Sequence, residues 1–126
     1  MPVSPGKSAR KRAPQDKLAA PPIAAVTTAE GLSLLAVIDI GSRALRMAVG
    51  EAVSGQPIRR LETLSAPVSI GVDTFARGRI RAATTEAVLQ TLRDFLLVAK
   101  GYGLEPEDCR AVATTAVRDA RNREVF

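Results

Sequence analysis

The 126-residue chain has no histidine and no tryptophan, a single cysteine, three phenylalanines and one tyrosine. Without histidine, Ser-His-Asp and Cys-His nucleophile systems are excluded, as is every metal site that uses an imidazole. One cysteine excludes an intrachain disulfide, and with it the disulfide-stapled secreted scaffolds. Cys109 follows Asp108 and reads as a small, partly buried side chain rather than a nucleophile. With so few rings the core has to be built from Leu, Val, Ile and Ala, within an apolar content of 46% that suits one globular domain. No apolar run approaches a membrane span. The basic start also argues against a secretory signal, because Pro21-Pro22 divides Leu18-Ala19-Ala20 from the apolar residues after it. The expectation is a soluble, cytoplasmic protein.

Charge is unevenly spread. Residues 1–30 hold five basic groups (Lys7, Arg10, Lys11, Arg12 and Lys17) against Asp16 and Glu30, while the remaining residues are nearly balanced, with thirteen basic and eleven acidic. A basic tail can touch nucleic acid or an anionic membrane. This one has a single short cluster, no interleaved aromatics and five prolines. It is expected to be a solvated, disordered arm and not a nucleic-acid site.

The stretch Leu34-Leu35-Ala36-Val37-Ile38-Asp39-Ile40-Gly41-Ser42-Arg43-Ala44-Leu45-Arg46 organises the rest. A short apolar run bounded by turn residues suits a strand buried on both faces, although a buried helix segment has the same pattern. Asp39 then stands at the strand's exit, where a side chain can meet a ligand. Gly41 lets the backbone bend closely so that neighbouring N–H groups converge on an anion, and Arg43 and Arg46 add positive charge. That is a phosphate site with a carboxylate for the accompanying metal. The same residues are also ordinary hairpin chemistry, since Asp, Gly and Ser all favour turns for local reasons.

Residues 44–53 fit both a strand and a helix; Gly50 and the Ser54-Gly55-Gln56-Pro57 turn favour the strand. Asp39 to Ser42 then becomes the turn of an antiparallel hairpin. Rossmann and P-loop sites need a helix after their glycines and are excluded. Residues 58–64 read as a third strand, interrupted by Pro67 and briefly resumed over 68–71. Residues 73–81, with arginines 77, 79 and 81, read as a polar loop or short helical turn. Thr84 or Thr85 opens the clearest helix, whose apolar face is Val88, Leu92, Phe95, Leu96 and Ala99. Glu86 and Lys100 suit its two ends, and Gly101 or Gly103 stops it. Residues 110–114 read as another strand, entering a helix over 115–122. Strand, then Thr114-Thr115, then Arg118 one turn into a helix is a second anion-binding arrangement, or else an ordinary N-cap. These elements predict an α/β fold with a mixed sheet that begins as an antiparallel hairpin.

Two segments carry a family resemblance: Val37-Ile38-Asp39-Ile40-Gly41-Ser42 with Arg46, and Ala113-Thr114-Thr115-Ala116-Val117-Arg118-Asp119-Ala120-Arg121-Asn122. Together they resemble the N-terminal part of the exopolyphosphatase / guanosine-pentaphosphate phosphatase (Ppx/GppA) family. That family belongs to the actin–sugar kinase–Hsp70 superfamily, whose fold is ribonuclease-H-like. The resemblance assigns residues 34–126 to the N-terminal portion of such a phosphatase domain. It implies that Asp39 helps to hold Mg²⁺ or a water, that Gly41 and Ser42 donate to phosphate, and that Arg43, Arg46, Thr115 and Arg118 contact the phosphate chain. The implied reaction is metal-assisted hydrolysis of a terminal phosphoanhydride of polyphosphate or guanosine pentaphosphate. The family usually has Asn where this chain has Arg43, a longer charged side chain that can add a phosphate contact or alter the substrate. Its general-base Glu and second glycine-rich loop lie downstream of the matched region, and Glu124 comes too early to serve. No catalytic residue is therefore expected in this chain, which looks like part of a longer protein and should lack turnover alone. The resemblance is compatible with a homodimer of the full-length protein. Two other readings stay open: a superfamily kinase, and a non-catalytic module that senses phosphate compounds through its arginines.

Overall fold

The computed structural model describes residues 31–126 and the backbone of Val26–Thr27. Most of the predicted tail, 1–25 and 28–30, lies outside the described residues. Val26–Thr27 themselves form a short strand, β1, paired antiparallel with Ser33 and Leu34.

Strands β2 (Leu32–Ile40), β3 (Ala44–Val53) and β4 (Arg59–Pro67) form an antiparallel meander, with Ile38 opposite Met47 and Met47 opposite Leu64. The strand reading of residues 44–53 holds. Alternation explains the faces: Ala36, Ile38, Ile40, Leu45, Met47 and Val49 are all buried, while Asp39 and Arg46 point to the opposite face. A bulge between Val49 and Gly50 shifts the β3–β4 register. β4 does not stop before Pro67 but runs through it. Proline is tolerated as the last residue of an edge strand, where no partner needs its missing N–H.

Helix α1 (Ile70–Arg77) replaces the brief strand and polar loop expected over 68–81. Gly71 and the β-branched Ile70, Val72 and Thr74 are poor helix formers, so the pattern hid it. Packing decides instead. Ile70, Asp73 and Thr74 are buried, and the Thr74 hydroxyl donates to the Ala116 carbonyl at 2.7 Å.

Helix α2 (Ala82–Gly101) starts before Thr84, so Glu86 is not in its first turn. Its N-terminus is satisfied from another helix. The Asp73 carboxylate accepts from the Arg81 amide at 2.9 Å, the Thr84 hydroxyl at 2.6 Å and the Arg81 guanidinium at 2.6 Å. Such a cap leaves no local sequence signature. Val88, Phe95 and Ala99 face the sheet as predicted; Leu92 packs at the margin of the core, and Leu96 is half-buried. The helix ends in a Schellman motif, with Gly103 donating to Lys100 and Leu104 to Ala99, and Leu104 is buried.

A 3₁₀ turn (Pro106–Asp108) leads to β5 (Cys109–Ala113), which pairs parallel with β2 so that Ile40 lies opposite Ala113. Helix α3 (Thr115–Arg118) is half the length expected. Beyond it the chain is held by other contacts: the Arg121 amide donates to Gly78, and the Asn122 side chain pairs with both backbone groups of Ile80 at 2.9 Å. A 3₁₀ turn over Arg123–Val125 follows.

Candidate functional site

Strands β2 and β5 run in the same direction and end side by side. Thr114 continues the ladder, its amide and hydroxyl both donating to the Ile40 carbonyl at 3.2 Å. Two chain reversals therefore leave the sheet together: Gly41-Ser42-Arg43 after β2, and Thr114-Thr115 after β5. In open α/β sheets this crevice, beyond the carboxyl ends of parallel strands, is where ligands bind.

The first reversal is tight. The Gly41 amide donates to the Ala44 carbonyl at 3.1 Å. Gly41 is not in the left-handed region. Glycine is needed for another reason: a Cβ there would stand 2.9 Å from the Ala44 oxygen. The Gly41 N–H is thus spent on the turn itself. The amides of Ser42 and Arg43 donate to no group among the described residues. Asp39 and Arg46 face one another across the ladder, with Arg46 Nη1 4.0 Å from Asp39 Oδ2, and both side chains are well exposed. The carboxylate leans over the turn, Oδ2 standing 3.6 Å from where a Gly41 Cβ would be.

Helix α1 braces the same turn from the other side. Gly71 donates to the Ser42 carbonyl at 2.8 Å and Val68 to that of Arg43 at 3.1 Å. A Cβ on Gly71 would lie 3.0 Å from Ser42 Cβ and 3.1 Å from Phe75 Cε2, so a side chain there would crowd the turn and the ring. Between turn and helix opens a cavity of about 550 Å³ bounded by Ser42, Arg43, Gly71, Val72 and Phe75. With residues 68–71 read as strand, nothing in the sequence brings Gly71 or Phe75 to Ser42.

The second reversal differs from the expected cap. The Thr114 hydroxyl goes to Ile40 and makes no bond to the start of α3, whose Val117 and Arg118 amides both donate to the Thr114 carbonyl. The exposed Arg118 folds back, its guanidinium donating to the Thr115 hydroxyl at 3.3 Å. Arginines 77, 79 and 81 form no common site, and Arg81 is committed to the buried Asp73. Cys109 is half-buried, its thiol donating to the Glu105 carbonyl at 3.5 Å. Burial, then Asp108 and Glu107, push that thiol up, away from thiolate chemistry.

Among the described residues no group of three or more Asp, Glu or Cys side chains could hold a metal alone. Asp39 still fits Mg²⁺, which is commonly bound by one or two carboxylates with phosphate oxygens and waters completing its shell. No helix among the described residues is long and apolar enough to cross a membrane.

A mixed sheet that opens as an antiparallel meander and returns in parallel beside its first long strand is an α/β arrangement of the actin-like kind, as solved structures bear out. A Ppx/GppA family member from Aquifex aeolicus superposes with a TM-score of 0.68 at 27% identity, over 75% of this chain and 30% of that one. An exopolyphosphatase-like protein gives 0.66 at 26% identity, over 76% and 28%. An exopolyphosphatase from Cytophaga hutchinsonii gives 0.65 at 22% identity, over 73% and 28%, a likeness of fold alone. The family model for Ppx/GppA phosphatases matches residues 48–126. The chain belongs to the Ppx/GppA phosphatase family. It spans less than a third of the length of these solved relatives.

Proposed function

We propose that this chain supplies the first phosphate-binding turn of a phosphoanhydride hydrolase that releases terminal phosphate from polyphosphate or guanosine pentaphosphate. The observation that carries this reading is the pair of reversals at the carboxyl ends of β2 and β5. One offers the amides of Ser42 and Arg43; the other begins beside the end of β2 at Thr114 and continues into Thr115, whose hydroxyl Arg118 meets. An anion meets N–H donors first and flexible guanidinium groups second. Arg46 steers and neutralises, while Asp39 would hold Mg²⁺, which when bound offsets charge on the transferring phosphate. Hydrolysis also needs a base for the attacking water. No described side chain is nominated for it, so this chain is expected to bind phosphate chains without turning them over.

Titration of the chain with inorganic tetrapolyphosphate and Mg²⁺, followed by amide NMR, tests the reading. Shifts should concentrate at residues 41–46 and 114–118. Shifts that avoid both reversals would sink it.

A further inference from the structure

Helix α1 touches both reversals, and does so from residues less than one turn apart. Its Gly71 amide donates to the Ser42 carbonyl at 2.8 Å, and its Thr74 hydroxyl donates to the Ala116 carbonyl at 2.7 Å. Three residues of helix separate the two donors, about 4.5 Å along the axis. Each bond fixes a group that the phosphate reading uses. A trans peptide points its C=O and N–H in opposite directions, so a Ser42 carbonyl held by Gly71 aims the Arg43 N–H away from Gly71. Ala116 lies between Thr115 and Arg118. Its carbonyl would ordinarily meet the Ala120 amide one turn on, but that amide donates to Val117 at 3.2 Å. The Thr74 hydroxyl takes its place, and both residues are buried. Arg121 ties the same segment to the other end of α1, donating from Nη2 to the Arg77 carbonyl at 2.9 Å and from Nε to that of Gly78 at 3.3 Å.

A helical threonine hydroxyl commonly turns back to a carbonyl one turn earlier, as Thr85 does to Arg81 and Thr91 to Ala87. That of Thr74 crosses to α3 instead. A ligand that engages two sites at once gains over either alone only while their spacing is held. We infer that α1 is the strut that holds the two reversals at a fixed spacing, with Thr74 as its positioning residue. A phosphate chain long enough to reach both then depends on Thr74, and a single phosphate does not. The inference rests on the phosphate reading of the two reversals.

Amide NMR titrations of the full chain at fixed Mg²⁺, one with tetrapolyphosphate and one with inorganic phosphate, separate the two cases. Thr74→Val keeps the branched shape and removes the donor. It should weaken tetrapolyphosphate about ten-fold and leave inorganic phosphate unchanged. Thr74→Ser returns the hydroxyl and should restore the longer ligand. Arg121→Lys keeps the charge but gives up the fork on two carbonyls, and should weaken tetrapolyphosphate selectively to a smaller extent. A Thr74→Val protein that melts earlier yet keeps its ratio of affinities would make Thr74 structural only and overturn the inference. Equal loss of both ligands, or no rescue by serine, would overturn it too. Should Thr74→Val fail to fold, Arg121→Lys decides: a selective loss upholds the strut and an unchanged ratio removes it. If neither ligand shifts any amide at 41–46 or 114–118 in the unmodified chain, the phosphate reading itself falls and the inference with it.

Discussion

Arg46 stands directly opposite Asp39 on the ladder between β2 and β3, on the sheet face away from the helices, with 4.0 Å between guanidinium and carboxylate. At that distance and exposure the pair contributes little to stability, on the order of 0–1 kcal/mol. Its interest is that the two charges oppose each other's ligands. Without metal, Asp39→Asn should strengthen tetrapolyphosphate binding, because a negative charge leaves the site. With Mg²⁺ the same variant should lose the enhancement that metal gives. Arg46→Ala should weaken binding about ten-fold in either condition. Calorimetry with and without EDTA reads all three; Asp39→Asn binding more weakly in EDTA contradicts the assignment.

The Asp73 carboxylate is fully buried and takes three donors from two residues. Burial pushes its pKa up, but the Thr84 hydroxyl and the Arg81 amide and guanidinium outweigh that and hold it below the ordinary 3.8. Asp73→Ala strands the Thr84 hydroxyl and the Arg81 amide just before α2, and should cost about 2–3 kcal/mol in urea unfolding. A depressed pKa contributes stability in full above the unfolded value and loses it as pH falls through the folded one. Unmodified protein should therefore weaken below about pH 4, and Asp73→Asn should show a flatter acid limb. Parallel limbs would remove Asp73 from the explanation.

Asn122 reads both backbone groups of Ile80, accepting from its N–H and donating to its C=O, each at 2.9 Å. An amide can do both, whereas an ionised carboxylate can only accept. Asn122→Asp keeps the acceptor but sets a carboxylate oxygen against a carbonyl. It should destabilise at least as much as Asn122→Ala, by about 1–3 kcal/mol at neutral pH. Protonation restores a donor, so the Asp variant should recover relative to Ala on acidification. Chemical denaturation at two pH values checks this.

Gly41→Ala forces a Cβ to within 2.9 Å of a backbone oxygen that belongs to the same turn. The strand pairing around it cannot yield freely, and a cost of about 1–3 kcal/mol is expected. Tetrapolyphosphate binding should fall with it, since the Ser42 and Arg43 amides move. Stability lost with binding intact would show that the ligand does not use the turn.

The sequence made β2, β3, α2 and β5 legible because their patterns are set locally: alternation along β3, an apolar stripe along α2. It hid α1, the true start of α2 and the short extent of α3 for one shared reason. Each is decided by a partner outside the element itself: Thr74 by Ala116, the start of α2 by Asp73 on α1, Asn122 by Ile80. The same division runs through the candidate site. Asp39, Gly41, Ser42, Arg43 and Arg46 are contiguous and could be read as one motif. Gly71 and Phe75 join them only because α1 docks on the turn.

The bond from Thr114 to Ile40 spans 74 residues. The β2–β3–β4 meander, by contrast, closes through loops of a few residues. Pairings of short separation form early, and those that must close a long loop come late. The two reversals are thus assembled at different times: the Gly41 turn with the meander, the Thr114 segment only when β5 finds β2. Pulse-labelled hydrogen exchange should protect the amides of β3 before those of β5. The phosphate crevice is then a late product of folding, and a nascent chain offers only its first half.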